Sequence, residues 1–122
     1  MPYAYRKSER LRKNSDFTAT MKEKRLSIDG LSLFYRRNDG GDFRVGISVG
    51  KKLGNAVKRN RMRRQIRACI SEALRSHAAG FDLVFLARKE LMGKDFGQIR
   101  QAVNRALRRS AVIAKGSDGS TT

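Results

Sequence analysis

The fold is decided by residues 50–67, which read Gly-Lys-Lys-Leu-Gly-Asn-Ala-Val-Lys-Arg-Asn-Arg-Met-Arg-Arg-Gln-Ile-Arg. Gly54 breaks the preceding strand, and Asn55 is a good helix N-cap. From Ala56 onward, apolar residues recur at spacings of three and four, which predicts an amphipathic helix lying on a core. The apolar side of this helix comprises Met62, Ile66, Cys69, Ile70, Ala73, Leu74 and His77.

The same stretch contains eight cationic residues and no acidic one. They are Lys51, Lys52, Lys58, Arg59, Arg61, Arg63, Arg64 and Arg67. Cations in the first turns of a helix oppose its dipole, at a cost of about 0.3–1 kcal/mol each, so we expect a compensating anionic ligand. Phosphate fits, because backbone N–H groups and guanidinium forks can point at one anion. The alternative is a solvated basic face without a ligand. The length of this series of eight cations argues against that alternative.

The composition of the whole chain also points to a polyanion. Its 122 residues include 28 Lys and Arg against 11 Asp and Glu, a formal net charge of +17. Such a charge suits nucleic acid or an anionic membrane surface. The apolar runs are far shorter than the roughly 20 residues of a membrane span, and the N-terminus lacks the apolar segment of a signal peptide. The sequence therefore predicts a cytoplasmic nucleic-acid-binding protein without membrane attachment.

Periodicity and turn signals predict a single α+β domain, an α/β sandwich in the order α-β-β-β-α-β-α. The domain is expected to span residues 1–113, with a partly ordered basic arm at 1–13 and a disordered tail at 114–122. The predicted elements are a helix from Asn14 or Ser15 to about Lys22, strands at 24–28, 31–37, 43–49 and 82–88, and the helix from Ala56. The first two strands form a hairpin through an Asp29-Gly30 turn. A last amphipathic helix begins at a capping box of Asp95 and Gln98, has Phe96 on its apolar side, and ends near Val112.

The chain shows no catalytic centre of its own. A protein nuclease needs paired imidazoles or clustered metal-binding carboxylates, whereas this chain has one histidine and scattered acids. Asp39 and Asp42 fit a polar turn better than a metal site. We therefore predict no catalytic residue, no metal ligand and no small-molecule cofactor in the protein.

Residues 51–67 closely resemble the signature of the protein subunit of bacterial ribonuclease P. The matching features are the Arg-Asn-Arg triplet at positions 59–61, the further basic residues, and Ile66-Arg67. The similarity covers about residues 8–112. It implies a left-handed βαβ crossover around the central helix, whereas general rules favour the right-handed form.

The resemblance implies a subunit of an endoribonuclease whose RNA is the catalyst. That RNA uses Mg²⁺, held mainly by the RNA, to cut the 5′ leader from precursor tRNA, and the protein binds both the catalytic RNA and the leader. The expected RNA contacts are Lys51, Lys52, Asn55, Lys58, Arg59, Asn60, Arg61, Arg63, Arg64 and Arg67. The expected leader cleft comprises Phe17, Met21, Phe34, Arg44 and Ser48.

Met21 stands where family members often have a second aromatic residue, one turn after Phe17. Methionine can pack on a base but offers no flat π surface for stacking. For Phe17 and Phe34 themselves, ordinary core packing is the alternative role. For the whole chain, one alternative function is a structural RNA-binding protein of ribosomal type. Another is a nuclease acting alone, which the lack of catalytic groups disfavours.

Overall fold

A computed structural model of the chain describes residues 14–38, 43–74 and 80–110. The predicted basic arm, the predicted tail and His77 lie outside these residues. The elements are α1 (Asn14–Met21), β1 (Lys24–Ile28), β2 (Leu31–Arg37), β3 (Arg44–Val49), α2 (Ala56–Leu74), β4 (Phe81–Ala87) and α3 (Phe96–Arg109). Two 3₁₀ turns, Lys51–Leu53 and Lys89–Gly93, precede α2 and α3. The predicted class and element order are confirmed.

Local sequence signals set the ends of several elements. The Asp95 carboxylate accepts a hydrogen bond from the backbone N–H of Gln98, whose side chain accepts one from the backbone N–H of Asp95. This is the predicted capping box. At the other end of α3, the Ser110 hydroxyl donates to the Leu107 carbonyl at 2.9 Å, just after the helix ends at Arg109.

The four strands form one mixed sheet in the order β1-β2-β4-β3. β1 and β2 form the predicted hairpin, β2 pairs antiparallel with β4, and β3 pairs parallel with β4. Because parallel neighbours need a crossover, α2 connects β3 to β4 in a βαβ unit. The left-handed form of this crossover stays a prediction.

α2 and α3 cover one face of the sheet and form the main core with it. Alternate strand residues such as Leu33 and Phe85 point into this core, where both are fully buried. Cys69 lies there too, and its burial raises the pKa of its thiol to about 11. It therefore remains protonated at neutral pH and acts as the predicted small apolar residue.

The opposite face carries α1, which packs against β1, β2 and β4. Phe34 and Val84 form a second, smaller buried cluster on this side. Strand register places them in one row with Gly46, since Phe34 is opposite Val84 and Val84 is opposite Gly46. The two faces therefore have separate cores, which β4 joins through its alternating side chains.

Asp82 is the buried charge of β4. Its carboxylate is fully buried and lies in register between Arg36 of β2 and Arg44 of β3. Arg44 donates from Nε to Oδ1 at 2.8 Å and from its terminal nitrogen to Oδ2 at 2.7 Å. Arg36 Nε donates to Oδ2 at 2.9 Å, and Asn38 Nδ2 donates to Oδ1 at 2.8 Å. One carboxylate thus links three strand segments.

These contacts determine how the carboxylate titrates. Burial alone raises the pKa of Asp82, but hydrogen bonds from Arg44, Asn38 and Arg36 outweigh it and hold the pKa below its ordinary value of 3.8. A lowered folded-state pKa means that the charged carboxylate stabilises the fold above the unfolded-state pKa. This contribution is lost as pH falls through the folded-state pKa.

Asp82→Asn is expected to lower the free energy of unfolding at pH 7 by about 3 kcal/mol, because two arginines lose a buried ionic partner. Urea denaturation of both proteins at several pH values measures this. The difference should shrink as the pH falls from 3.8, the ordinary pKa of Asp82, toward the lower pKa of the folded state, because the unfolded wild-type chain then binds a proton that the folded chain does not. A difference that stays constant across the acid range would contradict the assigned role.

Gly30, in the hairpin turn, lies where a larger side chain would not fit. Asp29 and Gly30 have φ values of 51° and 85°, as the predicted Asp-Gly turn requires. A Cβ atom at Gly30 would lie 2.7 Å from the backbone nitrogen of Leu91. Gly30→Ala should therefore destabilise the protein by about 2–4 kcal/mol in urea denaturation. The control is Gly50→Ala, where φ is −65° and a Cβ meets nothing within 4 Å; an equal loss there would refute the steric explanation.

Candidate RNA-binding surface

The predicted RNA-contacting residues are brought together at the first 3₁₀ turn and the first three turns of α2. Ten residues of this segment were predicted to contact RNA, and the structure gives them different positions. Lys51, Lys52, Asn55, Lys58, Asn60, Arg61 and Arg64 are exposed, whereas Arg59, Arg63 and Arg67 are half-buried.

Several of these residues also build the start of the helix. The side-chain oxygen of Asn55 accepts a hydrogen bond from the backbone N–H of Lys58 at 2.9 Å, which confirms the predicted N-cap. Arg59 Nε donates to the Gly54 carbonyl at 3.1 Å. Asn60 accepts a hydrogen bond from the guanidinium of Arg63. The side-chain NH₂ group of Asn55 is the part of this residue that could donate to an RNA phosphate.

Gly54 makes the sharp entry to α2 possible. Its φ of 150° is one that other residues rarely adopt, and the side chain of Lys58 lies 3.3 Å from where a Cβ atom would stand. No acidic residue lies in the first turn of α2 to neutralise the partial positive charge of the helix end.

Five cations form what we call the exposed basic surface: Lys51, Lys52, Lys58, Arg61 and Arg64. Within residues 14–38, 43–74 and 80–110, none of the five pairs with a carboxylate. Cations elsewhere do find partners, since Arg100 pairs with Glu72 at 3.1 Å and Arg105 with Asp29 at 2.9 Å. Arg67 is half-buried and has an interaction of its own within the chain. The exposed basic surface is therefore not neutralised by carboxylates of the described residues.

The predicted leader cleft lies on the α1 side of the sheet. Arg44 and Ser48 are half-buried on β3 at the sheet edge, and Met21, at the end of α1, is 36% exposed. Phe34 is only 7% exposed and packs on Val84, so most of its ring serves the small core. The side chain of Phe17 lies outside the described residues. The role of these residues in leader binding stays a prediction.

Sequence reasoning missed the partner of Arg44. Asp82 holds that guanidinium in a bidentate pair, which fixes its position on the cleft side of the sheet. The available signal was a single carboxylate at the start of an otherwise apolar strand, because buried acids are rare without a partner. The sequence could not identify the cation that pairs with it, because the pairing depends on the strand order.

Two further features of the described residues concern membranes and metal ions. Among the described residues, none of the helices combines the length and apolar character of a membrane span. In the same part of the chain, no three His, Cys, Asp or Glu residues gather into a group that could hold a metal ion.

Comparison with known proteins gives consistent matches in sequence and structure. The family model described as Ribonuclease P matches residues 5–111. A Ribonuclease P protein component from Streptococcus pyogenes is 37% identical over 112 residues, which are 91% of this chain and 93% of that protein.

Solved structures agree with these matches. The RNase P protein from Thermotoga maritima aligns with a TM-score of 0.75 at 33% identity and covers 83% of this chain and 96% of its own. A mutant of the Staphylococcus aureus RNase P protein aligns with a TM-score of 0.80 at 32% identity and covers 86% of this chain and 90% of its own. Because the match spans almost the whole chain and includes the uncompensated basic helix, the chain belongs to the Ribonuclease P protein family.

Proposed function

We propose that this chain binds the catalytic RNA of ribonuclease P through the exposed basic surface and the 5′ leader of precursor tRNA through the α1 side of the sheet. Family membership makes the chain a protein component of ribonuclease P, a tRNA-processing enzyme. The observation that carries the RNA-binding proposal is the set of five exposed cations at the start of α2 without carboxylate partners among the described residues.

The mechanism that we propose is electrostatic. Cations on α2 neutralise phosphates of the catalytic RNA, and the helix N-terminus adds its own partial positive charge. Bringing precursor tRNA to the catalytic RNA places two polyanions in contact. A protein that supplies fixed positive charge reduces the Mg²⁺ needed to screen their repulsion, so its effect should be greatest at low magnesium.

The cleavage step itself belongs to the RNA in this proposal. Mg²⁺, bound mainly by the RNA, would activate the water nucleophile and stabilise the leaving oxygen. The protein residues contribute binding and orientation. Arg44 is suited to a leader phosphate, because Asp82 holds its guanidinium in place while about a third of its side chain, 34%, remains exposed. We propose the cytoplasm as the site of this activity.

Arg61→Ala and Arg64→Ala should each make the plot of log affinity against log salt less steep, because each removes one phosphate contact. The magnitude of the negative slope should fall by about 0.7–0.9 for each substitution. Equilibrium binding of the catalytic RNA at several salt concentrations measures the slope. The matched control is Arg109→Ala, the same change at the exposed last residue of α3.

The same variants should process precursor tRNA more slowly at low magnesium and approach wild-type rates at high magnesium. An unchanged salt slope would show that Arg61 and Arg64 of α2 do not contact RNA phosphates. A wild-type protein that sediments with ribosomal subunits and leaves tRNA 5′ ends unaffected would instead support the ribosomal alternative.

Met21→Phe should strengthen binding of precursor tRNA several-fold, because an exposed aromatic ring at the end of α1 can stack on a leader base. The measurement is affinity of the assembled enzyme for precursor tRNA. Mature tRNA, which lacks the leader, serves as the control and should bind equally to both proteins. An equal gain for both tRNAs would show that residue 21 does not contact the leader.

A further inference from the structure

A cavity lies between the start of α2 and the segment that leads into α3. Its volume is about 550 Å³, within the roughly 300–1,000 Å³ that is common for small-ligand sites. One wall is a stripe of α2 side chains at positions i, i+3, i+4 and i+7. These are Lys58, Arg61, Met62 and Gln65, and the facing wall includes Met92 and Phe96.

The apolar part of the cavity lining includes an aromatic ring. Met62 is 4% exposed, and Met92 and Phe96 are half-buried against the main core. The guanidinium carbon of Arg100 lies 5.0 Å from the centre of the Phe96 ring, and Glu72 holds Arg100 through a 3.1 Å ion pair. The contact with Arg100 and the packing against the main core both restrict the ring, as a stacking surface requires.

The rim of the cavity is cationic. Lys58, Arg61 and Lys94 line it together with Asp95. The Asp95 carboxylate is committed to the N-cap of α3, where it accepts a 2.8 Å hydrogen bond from the Gln98 backbone. Gln65 adds a side-chain amide, which can both donate to and accept from the edge of a base. An anion with a flat apolar part matches this combination better than an inorganic anion or a neutral apolar molecule.

We propose that this cavity binds one unpaired nucleotide of the catalytic RNA, with its base against Phe96 and its phosphate on Lys58 and Arg61. The inference rests on the proposed function and adds a base-binding site to its phosphate contacts. Lys58 and Arg61 belong both to the cavity and to the exposed basic surface, so one RNA strand can reach both. The catalytic RNA is the favoured source, because α2 and α3 lie on the side of the sheet opposite to α1 and the leader cleft.

The test compares two phenylalanines in similar surroundings. Phe96→Leu removes the stacking surface of the cavity and keeps an apolar side chain on the core. Phe81→Leu is the matched control, since Phe81 is also half-buried and has the guanidinium carbon of Arg37 at 5.4 Å from its ring centre, but lies outside the cavity. Binding of the full chain to the catalytic RNA is measured at several salt concentrations.

Phe96→Leu should weaken binding by about 5- to 150-fold, the range for losing one base–aromatic stack. The salt slope should stay unchanged, because no phosphate contact is lost. Phe81→Leu should change affinity less than twofold. Equal effects of the two substitutions, or none at Phe96, would overturn the cavity proposal, and a normal response of the Arg61 and Arg64 variants would then leave the proposed function standing. Failure of the wild type to bind the catalytic RNA would overturn both.

Methionine methyl groups give a second readout that does not need the catalytic RNA. In a ¹³C-methyl-labelled protein, titration with adenosine monophosphate should shift the Met62 and Met92 signals through the ring current of the base. Inorganic phosphate should not reproduce these shifts. Shifts that phosphate reproduces in full, or an absence of shifts at Met62 and Met92, would show that no base enters the cavity.

Discussion

The position of β4 is the constraint on which the rest of the structure depends. It lies between β2 and β3, and its side chains alternate between two separate cores, so both sheet faces have to be covered. α2 and α3 cover one face and α1 packs on the other. At its start, the buried Asp82 accepts hydrogen bonds from Arg36 and Arg44 on the two neighbouring strands. Any other register would leave this charge buried without its partners, at a cost of several kcal/mol. The ion pairs therefore specify the alignment of the strands as well as stabilising it.

This arrangement also separates the two proposed RNA contacts. The exposed basic surface lies at the start of α2, on one side of the sheet, and the predicted leader cleft lies on the other side beside α1. A single layer of strands between them allows one small domain to face two RNA molecules. Arg44 is on the leader side, and its charge is partly compensated by Asp82, whereas Lys58, Arg61 and Arg64 have no carboxylate partner among the described residues. These cations without carboxylate partners lie on the side that we propose faces the catalytic RNA.

Local signals in the sequence predict most of the fold. Asn55, the Asp29-Gly30 turn and the Asp95–Gln98 capping box each act within a few residues, and each is found as expected. Contacts between distant residues could not be predicted. Asp82 pairs with Arg44 and Arg36, which precede it in the chain by 38 and 46 positions. These pairs depend on the strand order, which hydrophobic periodicity does not predict. The cavity could not be predicted either, because Phe96 was expected only to pack in the core beneath α3. The burial of Phe34 could not be predicted because it depends on how the chain packs on the α1 side of the sheet.

The family signature itself mixes two kinds of residue. Asn55 caps α2, Arg59 donates to the Gly54 carbonyl and Asn60 accepts from Arg63, so these positions shape the helix start. Arg61 and Arg64 extend into solvent without carboxylate partners in the described part of the chain. A flexible polycation could supply the same charge, but it would lose side-chain and backbone entropy on binding. In this chain, hydrogen bonds within the helix start fix the backbone positions from which the cations extend. The geometry of the charges, beyond their number, is then what distinguishes this surface from a generic basic tail.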